Sequence, residues 1–282
     1  TTGTRNIAIG NLAYDASDTE NDNIAIGHNS MDTNTAGGNG NVGLGSYTLD
    51  ELTSGDENVA VGLSTAHSIT SGIKNTLVGG YAGGEITTAD YNTIIGWNAT
   101  VNGVTLTTGG YNTIIGANNY TSAVDTDHAI GIGYNVQTIS DNFTFGFSTT
   151  DSRIASGATS ISAPSDQRLK EEITSSTAGL SFINELRPVT YRWRKEKDIP
   201  SEMISHVAGS DKRFKNETTE HGFIAQEVKA VIDNHSDIKD GFDMWTEDPA
   251  DGRQRVAEGA LMPILVKAVQ ELSAKNDSLE TS

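Results

Sequence analysis

Apolar residues in the first half of the chain arrive in short bursts of nearly constant make-up. Asn6-Ile-Ala-Ile-Gly10 returns as Asn23-Ile-Ala-Ile-Gly27, Asn41-Val-Gly-Leu-Gly45, Asn58-Val-Ala-Val-Gly62, Asn75-Thr-Leu-Val-Gly79, Asn92-Thr-Ile-Ile-Gly96 and Asn112-Thr-Ile-Ile-Gly116, the asparagines lying 17, 18, 17, 17, 17 and 20 residues apart. Looser copies follow at His128-Ala-Ile-Gly-Ile-Gly133 and Asn142-Phe-Thr-Phe-Gly146. A fixed period of this length predicts a repeat architecture. Each burst reads as a strand of four or five residues between turns, because Asn and Gly accept positive φ there. One such strand cannot bury itself, but copies stacked ~4.8 Å apart form a ladder, with the small Ala, Gly or Thr where backbones approach closely. Residues 1–147 are therefore expected to form an all-β roll or solenoid with one short strand per repeat. Only 35% of the chain is hydrophobic, so such a rod has a thin core. Thin rods gain burial by trimerising, and the alternative is a monomeric solenoid.

The pattern changes past residue 147. Residues 148–164, STTDSRIASGATSISAP, lack periodicity and read as an extended linker. Beyond them Leu180, Ile183 and Leu186 recur at helical spacing, Pro188 stops that helix, and Val189, Tyr191 and Trp193 alternate as a strand. HGFIAQEVKAVIDN predicts a second helix with Ile224, Val228 and Val231 or Ile232 on one face; the polar stretch from about Lys195 to Glu220 reads as a loop. From about Pro263 to Leu279 a last helix places Leu261, Leu265, Ala268, Leu272, Lys275 and Leu279 at alternating steps of 4 and 3. That spacing suits a short three-stranded coiled coil. Residues 165–282 are thus a mixed α+β domain, and the protein is multidomain.

Composition separates the same two regions. Residues 1–164 hold 24 of the 30 glycines and set 3 basic residues against 15 acidic ones, whereas residues 165–282 set 16 against 22 and hold four of the five prolines. Both parts are acidic, −12 and −6 of the total −18, so neither nucleic acid nor an anionic membrane is an expected partner. With no cysteine, neither disulfides nor thiolate metal sites hold the fold. No apolar run reaches the roughly 20 residues of a membrane helix, the opening TTGTRNIAIG has no signal-peptide core, and without an initiator methionine the chain is expected to begin inside a longer protein.

Candidate chemistry in the first half is sparse. Asp15, Asp18, Asp22, Asp50 and Asp56 read as turn residues that cap backbone amides, with no recurring acid pair and no calcium-loop motif; no metal or cofactor is expected. Tyr47, Tyr81, Tyr91, Trp97, Tyr111, Tyr120 and Tyr134 lie in or near the connecting segments, where aromatic rings pack loops or stack on sugars. The NxAxG repeats over residues 6 to about 147 resemble the β-roll heads of trimeric autotransporter adhesins, and similar repeats occur in phage tail fibres.

At the boundary lies APSDQRLKEEI, residues 163–173, in which Ser165 and Lys170 stand five apart. Such a pair alone carries no information. In order, however, SDQRLKEEI, LRPVTYRW, HGFIAQEV and LMPILVKAVQEL resemble the peptidase S74 family, the intramolecular chaperone domain of phage tailspikes and fibres, over residues 165 to about 275. Glu258-Gly-Ala departs from that family, which tends to have a tyrosine before the final helix.

The resemblance implies a domain that assembles three chains, helps the β-shaft fold, and then releases itself with a Ser-Lys dyad. By position in the S-D-x-R-x-K motif, Ser165 is the expected nucleophile, Lys170 the general base, and Asp166 and Arg168 supporting residues. Ser–Lys chemistry requires the lysine pKa to fall from about 10.4 towards neutrality, through burial or a nearby cation, for which Arg168 is the candidate. Residues five apart on a helix lie about 140° from alignment, so Ser165 is expected to precede any helix there, as Pro164 also suggests. Ser165 Oγ attacking the Pro164 carbonyl closes a five-membered ring, which favours the Pro164-Ser165 bond; family members are usually described as cut on the C-terminal side of the serine, next to Asp166, and both bonds stay open. The implied protein is the C-terminal part of a homotrimeric phage fibre or appendage, assembled in the host cytoplasm and carried in the virion, an enzyme only toward itself. A host-glycan-binding adhesin tip with a non-cleaving trimerisation cap is the alternative.

Overall fold

A computed structural model describes residues 3–16, 19–33, 37–236, 238 and 242–281. The chain divides into two units, Thr1–Leu169 and Lys170–Ser282. Asp18 lies outside the described residues.

The first unit is a β-solenoid. Strands β1 (Ile7–Ile9), β2 (Ile24–Ile26), β3 (Val42–Leu44), β4 (Val59–Val61), β5 (Thr76–Val78), β6 (Thr93–Ile95) and β7 (Thr113–Ile115) pair in parallel, residue for residue across the repeats. After β8 (Tyr120–Thr121), β9 (Ile130–Tyr134) continues the same sheet. β10 (Gln137–Thr138) pairs with β8 on a second wall, and β11 (Asn142–Phe147) adds the last parallel rung. Within the expected linker, β12 (Ser152–Ala155) turns back antiparallel onto β11 and closes that edge of the sheet.

Each position of the pentad has its own physical task. The middle residue points inward: Ala25, Ala60, Leu77, Ile94 and Ile114 are fully buried and pack with Met31, Leu49, Leu52, Ile69 and Ile86. The glycine takes φ near +140°, and a Cβ on Gly96 would stand 2.3 Å from the carbonyl oxygen of Gly116. Only glycine fits that contact.

The asparagine departs from the expectation of a positive-φ turn residue. Positive φ falls one position earlier, at Asp22, Glu57, Lys74, Tyr91, Tyr111 and His128. The asparagines are buried instead: Asn58 Oδ1 accepts the Asn75 backbone N–H at 3.0 Å and its Nδ2 group at 3.0 Å, while Asn75 Nδ2 also donates to the Ala89 carbonyl at 2.7 Å. The pattern repeats from Asn41 to Asn112 and ends where Ala129 donates its N–H to Asn112 Oδ1. A buried amide with every lone pair and proton engaged ties each turn to the next and to its own far wall. Aspartates do cap amides, but between turns: Asp56 accepts from Asn39 N at 2.8 Å and Asp90 from Ile73 N at 2.7 Å.

The other two strand positions point outward. Ile7, Ile9, Leu44, Ile95, Ile115, Ile130 and Ile132 are among the exposed large apolar residues, so one face of the parallel sheet is a continuous aliphatic strip. Parallel sheets are normally covered on both faces.

The second unit is mixed α/β. Beside α1 (Leu180–Glu185), α2 (Ala225–Asn234) and α3 (Met262–Glu280) it has two antiparallel strand pairs, β13 (Val189–Tyr191) with β14 (Glu220–Gly222) and the hairpin β15 (Trp245–Glu247) with β16 (Gln254–Val256). Its core holds Phe182, Val228, Ile232, Met244, Leu261 and Ile264. Glu271 on α3 accepts the Leu180 N–H at 2.9 Å and so caps α1. The expected heptad series on the last helix is divided by this packing. Leu261 and Ala268 are buried on the face toward the unit's own core, with Ile264, whereas Leu265, Leu272 and Leu279 are exposed. The exposed apolar line is instead Met262, Leu265, Val269, Leu272 and Leu279, with Asn276 completing steps of 3 and 4. No helix among the described residues is long and apolar enough to cross a membrane.

Candidate functional site

The chain leaves the solenoid through a defined anchor. Arg153 and Ser162 exchange both backbone hydrogen bonds at 2.8 Å, and the Arg153 guanidinium pairs at 2.9 Å with Asp151, itself nearly buried. These residues, with Ala163 and Pro164, line a cleft of about 290 Å³. Position 164 therefore lies two residues past the Ser162 tether, in a stretch that is exposed from Ala155 onward.

Ser165 follows on the exposed side and precedes a single 3-10 turn at Gln167–Leu169. Asp166 starts that turn: its carbonyl accepts the Leu169 N–H at 3.0 Å and its carboxylate accepts the Arg168 N–H at 2.9 Å. The Arg168 guanidinium closes on the same carboxylate through Nε at 3.0 Å and Nη2 at 2.6 Å. That fork, with the backbone N–H behind it, holds the Asp166 carboxyl below its ordinary range and pushes the Arg168 guanidinium up. The two motif residues expected to support the site are thus brought together, and the cation expected to act on the lysine is committed to Asp166. Lys170, exposed, opens the second unit.

The other motifs fall on elements of the second unit. LRPVTYRW supplies β13, HGFIAQEV supplies β14 and the start of α2, and LMPILVKAVQEL supplies most of α3. Around the first two lies a feature the strand and loop assignments missed. Tyr191, Trp193 and Phe214 form a half-exposed aromatic cluster with edge-to-face centroid distances of 5.2 and 5.4 Å, and Lys215 Nζ sits 4.5 Å from the Trp193 ring centre. Clefts of about 510 and 380 Å³ flank it. Seven Lys or Arg against four Asp or Glu between residues 192 and 215 was the signal available in the sequence.

Among the described residues no group of three or more His, Asp or Glu side chains is placed to hold a metal ion. Of the shaft aromatics, Tyr91, Tyr111 and His128 stack face to face at 4.9 and 5.2 Å, which covers the ring faces a sugar would need. Trp97 is different: its indole lies over Gly80 and is 56% exposed.

Comparison with curated proteins and with solved structures gives no match. Residues 165–237, from Ser165 to just past α2, match the peptidase S74 family model, the chaperone of endosialidase.

Proposed function

We propose that the chain is part of a homotrimeric phage tail fibre or appendage in which the second unit drives trimerisation and folding of the β-shaft and then releases itself next to Ser165. The observation that carries this reading is the position of the chaperone-family match, which begins at Ser165, ten residues past the last strand of the β-solenoid, Ser152–Ala155. Each rung pairs strands about 17 residues apart, so no rung forms until a whole turn has closed, and a domain that registers three copies lowers the entropic cost of starting such a ladder. The aliphatic strip of the sheet supports the trimer: three copies around one axis would cover it, as would a bundle of three α3 helices cover Leu265, Val269 and Leu272.

In the release step Lys170 takes the Ser165 hydroxyl proton as Oγ attacks a neighbouring carbonyl, and the proton passes to the departing backbone nitrogen. Attack on Pro164 moves the acyl group onto Oγ as an ester, which water then hydrolyses, so one water is consumed for one peptide bond broken. After release the folded shaft no longer carries the element that guided its folding, and its unfolding becomes slow. Location in the virion follows from this reading.

Native and intact mass spectrometry on the wild type, Ser165→Ala and Lys170→Ala test it together. A trimer is expected in all three, with two fragments meeting within one bond of Ser165 in the wild type alone; a wild type that stays full length defeats the release step. A second reading, a glycan-binding tip, is favoured by Trp97, a large shaft aromatic that is 56% exposed. Binding of neutral oligosaccharides by the full chain, lost in Trp97→Ala, is its expected result.

A further inference from the structure

The second unit contains two surfaces that match each other and are both open in a single chain. One is the aromatic groove. Tyr191, Trp193 and Phe214 stand outside the unit's core cluster, and the larger of their two clefts is rimmed by Lys215, Arg253 and Arg255 against one carboxylate, Glu258. Arg253 is already paired with Asp251 at 2.8 Å, but Arg255, 3.0 Å from Asp248, keeps 60% of its side chain exposed. Lys215 and the open side of Arg255 are thus the exposed positive charge of this rim. Half-exposed aromatics beside arginines are the composition of binding hot spots.

The other surface is the stretch of residues 170–173, Lys-Glu-Glu-Ile, which precedes α1 without helix or strand of its own. Ile173 is 62% exposed, Glu171 and Glu172 are exposed, and Glu172 holds a φ of 52°, a left-handed conformation uncommon for glutamate. An acidic pair beside an apolar anchor complements a cationic rim around an aromatic floor.

We infer that residues 170–173 of one copy seat in the Tyr191–Trp193–Phe214 groove of a second copy, with Ile173 against the rings and Glu171 and Glu172 toward Lys215 and Arg255. The inference rests on the trimeric reading. The occupant is a second copy because within one chain Ile173 and the groove both stand open. Docking of this kind would fasten the start of each second unit to its neighbour, whether or not the bond beside Ser165 has been cut.

A photo-crosslinking residue, benzoylphenylalanine, at position 173 of the full chain tests this. Mixed trimers of ¹⁴N and ¹⁵N protein are irradiated, and crosslinked peptides are identified by mass, beside a sedimentation measurement of the same sample. Interchain crosslinks to peptides carrying Trp193, Phe214 or Arg255 are the expected result. A trimer whose crosslinks fall within one chain, or on another surface, overturns the docking and leaves the trimeric reading standing; a monomer overturns both. Glu171→Arg with Glu172→Arg should cut the crosslinked fraction several-fold, and Arg255→Glu added to that pair should restore part of it. A fraction unchanged by the charge reversal also overturns the docking as drawn.

Discussion

The shaft unit is held by bonds that recur about every 17 residues, as from Asn75 to Asn58, while the second unit is stitched by single contacts over long separations, as from Leu180 to Glu271 across 91 residues. The first arrangement spreads stability along an axis: each turn depends on its two neighbours and little else. The second concentrates it in one small cluster, where Phe182, Val228, Ile232 and Ile264 share their contacts. Yet both leave apolar surface open, the sheet's aliphatic strip in one and the outer line of α3 in the other. The lesson is that completeness within a chain and completeness within an assembly are separate properties. A solenoid turn can satisfy its pentad asparagine in full, as at Asn75, and still present isoleucines to water.

The largest effect that would sharpen this comparison is expected at Gly96. Alanine there must hold φ near +141° with its Cβ 2.3 Å from the Gly116 carbonyl oxygen, so two adjacent turns have to separate. A loss above about 4 kcal/mol is expected by chemical denaturation. Gly157→Ala is the control: its φ is +79° but no atom lies within 4 Å of the added methyl, so only about 1 kcal/mol of backbone strain should appear. Equal losses at the two positions would show that strain, and not the contact between turns, sets the cost.

Phe182→Ala probes the other unit and should cost about 3–5 kcal/mol, because a fully buried ring leaves a cavity that a small core cannot close. The three tryptophans divide the readout: Trp97 reports the shaft, Trp193 and Trp245 the second unit. Fluorescence of single-tryptophan variants should show the Trp245 transition move and the Trp97 transition stay. Joint movement would break the comparison by making the two units one cooperative body.

How far the sequence discloses each unit follows from the same contrast. Register in the shaft is legible because the period displays it: aligning Ile7 with Ile24 and Val42 by eye is the pairing the strands adopt. The task of the pentad asparagine is not legible, since a residue that favours turns also makes the best buried ladder, and only the fold distinguishes the two. In the second unit helix and strand positions follow from spacing, but faces do not. Leu261 and Leu265 are four apart and look like one seam until α1 and Glu271 claim the inner side of α3. At the candidate site, motif order locates Ser165 and Lys170, and the Asp166–Arg168 fork arises from a 3-10 turn that a nine-residue motif does not announce. The aromatic groove escaped because its parts come from a strand, a polar loop and a hairpin distant in sequence.

An intermediate effect is expected from Asp50, where the shaft's stacking sets like charges together. Asp32, Asp50 and His67 occupy equivalent positions in successive turns; His67 Nδ1 lies 3.3 Å from Asp50 Oδ2 and Nε2 lies 3.7 Å from Glu51. Burial, with the neighbouring Asp32, pushes the Asp50 carboxyl up to about 6, against the opposing pull of His67. The folded chain then binds a proton more readily than the unfolded one between about pH 4 and 6, so stability falls as pH rises through that window and stays lower above it. Asp50→Asn should remove this loss and gain about 1–3 kcal/mol at pH 7.5 over wild type, with little difference at pH 4. Thermal melts of both proteins at pH 4, 6 and 7.5 check it; parallel curves would mean that Asp50 does not carry the shift.

The smallest expected effect tests whether a single long-range stitch behaves like one rung of the ladder. Glu271 accepts the Leu180 N–H at 2.9 Å and lies 3.7 Å from Lys267 one turn earlier on α3. Its carboxylate does for α1 what a local capping side chain does for other helices, because Gly179 at the N-cap offers none. Glu271→Ala should cost about 1 kcal/mol, the ordinary value of a cap, and Glu271→Gln about half of that, since the amide keeps an acceptor oxygen but loses charge at the positive end of the helix. Asn75→Ala in the shaft takes the acceptor from the Asn92 backbone N–H and from one of its amide protons, and the donor from the Ala89 carbonyl, all of them buried, so it should cost several-fold more. Denaturation midpoints of the three variants, read at Trp245 for Glu271 and at Trp97 for Asn75, decide the point. If Glu271→Ala cost as much as Asn75→Ala, the carboxylate would be fastening α1 to α3 as a whole, and the second unit would owe its fold to that one contact more than to its core.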